Sequence, residues 1–452
     1  MNRSASRLND GKTRNYRMNA PQCWIHYLSD PWPESEADAN RRLGRKGESL
    51  RRMVRAGFDV PAGFVITTDA CRQYFELDGS LPPALWPQVV KAVERLERET
   101  GCDLGDCSRP LLLAVRSGAP ESMPGVLDTV LNCGLTDRLA MSPGRQRDYV
   151  RFIEAFAASD GQACLAEKPE AALQHSPSAM CERRLAQYEQ RTGEPFPQEA
   201  WEQLRRCIGA VMQSWQRSRA VQYRQALGLP QDSGTAVIVQ AMVPCEVSGV
   251  LFTQDPRDSA EKDSADSRMV VETVAGLGEE LVAGRVTPQR FYLARDGASP
   301  AAIADDADEG SRPDPLLTSV QLSMLRELGL RLEREFSAPL DVEWGWAENQ
   351  FAILQTRPIQ HAPQPSELGS NRNGHAAGAE TATRNLGLCA DTTQAQSAAS
   401  DPQRQPNGTD FVSGAARAAR CEPTDSLEIP GGSRRSATNM SLSRAKVSAI
   451  RR

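Results

Sequence analysis

Arg116 stands where an apolar run, Leu111, Leu112, Leu113 and Val115, gives way to small residues; the stretch from Ala114 to Val130 reads AVRSGAPESMPGVLDTV. A buried strand ending in a guanidinium and flexible backbone amides suits phosphate oxygens. Arginine offers planar paired donors, and glycines such as Gly118 and Gly125 let the main chain come close. Lys46 offers a second cation. It lies between Gly44 and Gly47, where a helix carrying Leu50, Met53 and Val54 on one face is expected to begin. Free amides, the helix dipole and an ammonium group there all favour phosphate. Taken alone, so short a glycine pattern fits a solvated lysine after a turn better.

A third group lies in LDVEWGWAENQFAILQTRP. Period-two alternation puts Asp341 and Glu343 on one strand face and Gln355 and Arg357 on another. A hairpin turning near Glu348 and Asn349 sets those faces side by side. Carboxylate and amide oxygens are hard ligands suited to Mg²⁺, which takes few protein groups and keeps substrate phosphates. Arg357 would then neutralise charge on a transferring phosphoryl group. A cross-strand ion pair on a sheet surface fits the same residues. The fourth segment, TAVIVQAMVPCEVSGVLFTQDP, joins two strands by a short linker. It could place Gln240, Met242 and Val243 around a flat base, although two ordinary core strands explain the pattern equally well.

The elements that must position these groups change character along the chain. Short strands are expected at Cys23 to Leu28 and in GFVITT, with helices over Asp69 to Phe75 and Pro87 to Glu99. Residues 147 to 228 read as mostly helical, with Leu204, Cys207, Ile208, Val211 and Trp215 forming a core stripe. From Gly234 onward short strands dominate, interrupted by one helix from about Ser319 to Phe336. Helices followed by a strand-rich lobe imply an α+β fold. The expected division is a leader over 1–22, a first lobe with a helical insertion over 23–233, a second lobe over 234–361, and a tail over 362–452. One aromatic, Phe411, in that tail leaves too little apolar surface to offset chain entropy, so disorder is expected. The leader reads as disordered too, and Met18 is an alternative start.

A net charge of -5 gives no general attraction for nucleic acid or an anionic membrane. No apolar run approaches the roughly 20 residues of a membrane span. Eleven cysteines without a CxxC pair read as reduced thiols in a cytoplasmic protein rather than disulfides or a zinc site.

In order along the chain, LGRKGESLRRMVRAGFDVPAGFVITTDAC, VRSGAPESMPGVLDTVLNCGL, GTAVIVQAMV, SGVLFTQDP, AGLGEELVAGRVTPQ, DVEW and LQTRP resemble the N-terminal nucleotide-binding part of the pyruvate phosphate dikinase and phosphoenolpyruvate synthase family. The similarity runs from about residue 24 to 360. It implies an ATP-grasp fold, two lobes with ATP between them, and phosphorylation of a histidine on a mobile domain with release of AMP. By motif match Lys46 and Arg116 would contact phosphates, Glu343 and Gln355 would hold Mg²⁺, Arg357 would stabilise the transferred group, and Asp341 would support them. Glu279 and Glu280 match a region near the nucleotide, with their ribose or phosphate contacts left open.

Several features depart from the family. Its Thr-Ser-His phosphohistidine segment and its pyruvate-binding barrel are absent, and the histidines are His26, His175, His361 and His375. Position 45 is Arg where the motif usually has Gly. The expected function is therefore an ATP-Mg²⁺ phosphotransferase that phosphorylates a carrier histidine on a separate protein. The alternative is a non-catalytic ATP-binding or regulatory remnant.

Overall fold

In a computed structural model, the strand-rich texture resolves into two antiparallel sheets within a mixed α+β arrangement. The structure describes residues 23–359 apart from 34, 124, 143, 160–175, 258–267, 298–300 and 304–313, all within one compact unit, Met1–Gly387. The expected leader and tail, and His175, His361 and His375, lie outside the described residues.

The first sheet contains β1 (Ile25–Tyr27), β2 (Gly63–Ile66), β3 (Leu113–Gly118), β4 (Thr129–Cys133) and β5 (Ala236–Ala241) in the order β1-β2-β5-β3-β4. Its strands alternate between two cores. Phe64, Ile66, Val237, Val239, Leu113 and Val115 enter one cluster, while Val65, Ala236 and Ile238 enter a second. Burial on both faces explains why β2 and β5 read as continuous apolar runs. The first cluster is completed by α2 (Thr68–Glu76), α3 (Leu85–Thr100), α5 (Gln146–Ser159), α6 (Pro177–Thr192) and α7 (Ala200–Ser214), with α4 (Asp137–Ala140) and α8 (Ser218–Ala226) at its edge. Leu204, Cys207, Ile208, Val211 and Trp215 are buried there, as their helical spacing predicts.

The second sheet contains β6 (Val247–Phe252), β7 (Met269–Ala275), β8 (Gln289–Leu293), β9 (Ala301–Ile303), β10 (Leu340–Ala347) and β11 (Gln350–Pro358), ordered β11-β10-β6-β7-β8-β9. A short helix, α9 (Glu279–Val282), follows β7, and α10 (Ser319–Phe336) packs on the sheet through Leu322, Leu325 and Leu332. A capping box between Thr318 and Gln321 starts α10 at the position expected. Helix α1 (Glu36–Arg55) adds Leu43, Leu50 and Met53 to the same cluster, which therefore spans both sheets.

Two expectations are corrected. The change of texture at Gly234 marks the onset of strands, not the change of sheet. β5 lies at the centre of the first sheet, hydrogen-bonded to β2 and β3, because its alternating apolar residues have a core on either side. The chain passes to the second sheet at residues 242–246, not at 233/234. Helix α1 also begins earlier than Gly47, since the Ser35 hydroxyl accepts from the Asp38 N–H and caps it at Glu36. Gly44, with φ 70° and ψ 165°, breaks it internally, so Lys46 still sits in the first turn after a discontinuity.

Candidate functional site

A cavity of about 470 Å³ opens between the two sheets. That volume falls within the range that holds small organic ligands. Its walls are the outward face of β3 and β4, the 242–246 linker, the polar face of the β10–β11 hairpin and the short helix α9. Lys46, Arg116, Gly125, Gln240, Met242, Val243, Glu279, Glu343, Gln355 and Arg357 all line it; Glu280 and Asp341 do not.

The cationic end depends on close backbone packing. A Cβ on Gly44 would lie 1.7 Å from the Gly118 carbonyl oxygen, so only glycine lets α1 approach the end of β3. The next residue seals the contact, with the Arg45 N–H donating to the Ala119 carbonyl at 3.0 Å. Lys46 follows directly and is half-buried. Among the described residues its ammonium has no hydrogen bond or ion pair. Burial, reinforced by Arg116 and Arg357 and opposed by Glu343, pushes Lys46 down to about 8.

Arg116 faces the cavity because its neighbours Leu113 and Val115 alternate into the helical core. Its guanidinium joins the sheets, donating to the Leu354 carbonyl and to Glu343 Oε2, each at 3.1 Å. Its Nε is buried without a partner among the described residues. The loop after it is tied down where the Arg219 guanidinium donates to the Gly125 carbonyl, and Gly125 adopts a positive φ of 62°.

The hairpin turns at Glu348 and Asn349, both left-handed, as expected for a two-residue connection. Trp344 pairs with Ile353, and both are in the core. The ladder then slips by one residue, so Glu343 faces Gln355 and Asp341 faces Arg357. Without that bulge the turn alone would put Gln355 and Arg357 on the same face as Ile353. Gln355 Nε2 donates to Glu343 Oε1 at 3.1 Å, and Arg357 Nε donates to Asp341 Oδ2 at 2.6 Å. Asp341 thus sits behind Arg357 rather than in the wall. Burial holds its carboxyl above the usual range despite the Arg357 cation, with Glu343 and Glu272 adding to the rise.

The cross-strand ion pair anticipated as the simpler explanation therefore exists, yet it borders a cavity. The Glu343 carboxylate and the Gln355 amide oxygen, which has no hydrogen-bond partner among the described residues, form a hard oxygen pair. Their chemistry fits Mg²⁺, which completes its shell with water and phosphate. Among the described residues no group of three or more His, Cys, Asp or Glu could hold a metal.

Met242 and Val243 line the opposite, less polar end. The linker is fixed by the Met242 N–H donating to the Leu112 carbonyl and by Gln240 Nε2 donating to the Pro61 carbonyl. Glu279 is raised above the usual carboxylate range, chiefly by burial, with Arg151 and Arg285 opposing. Glu280 turns away to pair with Arg151 at 2.9 Å. Sequence reading missed Thr129 and Leu131, whose alternation with buried Val130 could have placed them on this wall, and Cys245 in the linker. His26, the one histidine among the described residues, lies in β1 away from the cavity. Burial foremost pushes it down to about 4.

No helix among the described residues is long and apolar enough to cross a membrane, and their cysteines are free thiols. Residues 76–373 match the family model described as pyruvate phosphate dikinase, AMP/ATP-binding domain. Pyruvate, phosphate dikinase of Rhizobium meliloti (strain 1021) is 34% identical over 366 residues, covering 74% of this chain and 39% of the relative. The Clostridium symbiosum enzyme of the same name is 32% identical, covering 74% and 38%, and chloroplastic pyruvate, phosphate dikinase 1 of Zea mays is 36% identical, covering 70% and 34%. The chain thus spans about two fifths of the length of the first two relatives and matches their N-terminal part. Because that model spans residues 76–373, which include Arg116, Glu343 and Arg357 though not Lys46, the chain belongs to the pyruvate phosphate dikinase AMP/ATP-binding domain family.

Proposed function

We propose that the cavity binds ATP in an ATP-grasp arrangement of two lobes and serves phosphoryl transfer to a carrier histidine on a separate protein, in a cytoplasmic setting. One observation carries this: a single cavity joins an apolar linker to a cluster of cations and a hard oxygen pair. Met242 and Val243 would wall the adenine. Lys46 and Arg116 would bind phosphate oxygens; among the described residues Lys46 has no ion pair and the buried Arg116 Nε has no acceptor. Glu343 and Gln355 would hold Mg²⁺, which supplies charge neutralisation on the phosphates when bound. Arg357, half-exposed beside Asp341, would reach toward a transferring phosphoryl group. Glu279 would contact the nucleotide near α9, with Glu280 holding Arg151 in place.

The protein should be mixed with ATP, Mg²⁺ and a polypeptide carrying the family's Thr-Ser-His segment. Release of AMP together with an acid-labile phosphohistidine supports transfer in trans. ATP binding with a raised melting temperature but no AMP with any such polypeptide favours the non-catalytic alternative.

A further inference from the structure

Resting on the nucleotide reading of this cavity, we propose that Arg45 is a further binding residue, one that selects nucleoside triphosphates by exchanging its Glu121 partner for a terminal phosphate oxygen. The resembled motif carries glycine at this position, yet the backbone here accepts a side chain. Gly44 has the positive φ and the 1.7 Å clash for any Cβ; Arg45 is a right-handed residue of α1 with its N–H committed to Ala119. The arginine therefore adds a long cation at the start of the helix segment that carries Lys46 without disturbing the close approach next to it.

Both Arg45 and Glu121 line the cavity, and their charged groups lie 3.7 Å apart. Both side chains are about half-exposed, at 51% and 48%. An exposed pair at that distance contributes little, so it is easily exchanged. A phosphate offers the guanidinium a charge-assisted and bidentate alternative. Arg45 is more exposed than Lys46 or Arg116, at the rim of the cationic end and away from the Met242–Val243 wall. Phosphates distant from the base fall within its reach, whereas the single phosphate of AMP remains with the inner cations.

Calorimetry on the full chain with ATP and Mg²⁺, and separately with AMP, tests this in wild type, Arg45→Met, Glu121→Gln and the double variant. Arg45→Met should weaken ATP about tenfold and leave AMP within about twofold. Glu121→Gln should tighten ATP, and that gain should vanish in the Arg45→Met background. Equal losses for ATP and AMP, an unchanged ATP affinity, or additive effects of the two substitutions would each overturn the role of Arg45. A wild type that binds neither nucleotide would overturn the nucleotide reading and this inference with it.

Discussion

Glu343 stands opposite Gln355 only because the β10–β11 ladder slips by one residue at Leu354. The same slip frees the Leu354 carbonyl to accept from Arg116, so one irregularity both orients the oxygen pair and ties the first sheet to the second. Bulges commonly re-aim side chains in this way. Deleting Leu354 removes the extra residue, so Gln355 follows Ile353 directly and still faces Glu343 in a regular ladder, while the carbonyl that accepts from Arg116 is lost. Loss of that hydrogen bond to a charged donor should cost about 1–3 kcal/mol. The expected outcome is a lower urea midpoint with Mg²⁺-dependent ATP binding retained; an unchanged midpoint would show that the Arg116–Leu354 bond does not tie the two sheets.

The break at Gly44 makes a second expectation. Gly44→Ala places a methyl group against the Gly118 carbonyl and also forces a positive φ, and should destabilise by about 3 kcal/mol or more. Gly57, just beyond the same helix, has φ 75° and open space around its missing Cβ. Gly57→Ala should cost only the backbone strain, about 1–2 kcal/mol. Thermal melts of both variants check the difference, and similar losses would show that the close approach is not what requires glycine at 44.

Lys46 should give nucleotide binding a pH dependence. Its pKa in the free protein is about 8, and a bound phosphate would raise it. Binding is then strongest below pH 8, where the ammonium is charged in both states, and weakens as pH rises through 8 toward the higher value in the complex. Magnesium-ATP titrations between pH 7 and 9.5 should show this decline in wild type and a much flatter profile in Lys46→Met. Parallel profiles would remove Lys46 from the phosphate site.

Glu279 has the opposite consequence for stability. Its carboxyl is raised in the folded chain, so the folded state binds the proton more readily than the unfolded one. Its charge opposes folding at neutral pH, and that burden disappears as pH falls below the unfolded value. Glu279→Gln should therefore melt higher than wild type at pH 7, with the two converging near pH 4. A lower melting temperature at pH 7 would mean that the Arg151 and Arg285 cations outweigh its burial.

Much of this site was legible in residue patterns. Alternation around Arg116, the Glu348–Asn349 turn and the apolar stripe of α10 all correspond to local rules of side-chain direction. The register slip was not legible, because the preference of Trp344 and Ile353 for one core and of Gln355 for the other face becomes visible only once both faces exist. The sheet membership of β5 was hidden for a similar reason. Continuous apolar sequence announces burial on both faces but does not say which neighbours provide it. Thr129 and Leu131 carried a readable period-two signal; Cys245 carried none.

The most direct measurement is calorimetry of ATP with and without Mg²⁺, wild type beside Arg357→Ala and Glu343→Gln. A nucleotide site in this cavity predicts metal-dependent binding by the wild type, weakened in both variants, with the Mg²⁺ dependence most reduced in Glu343→Gln. Absence of binding by the folded wild type, or binding indifferent to both substitutions, would contradict it.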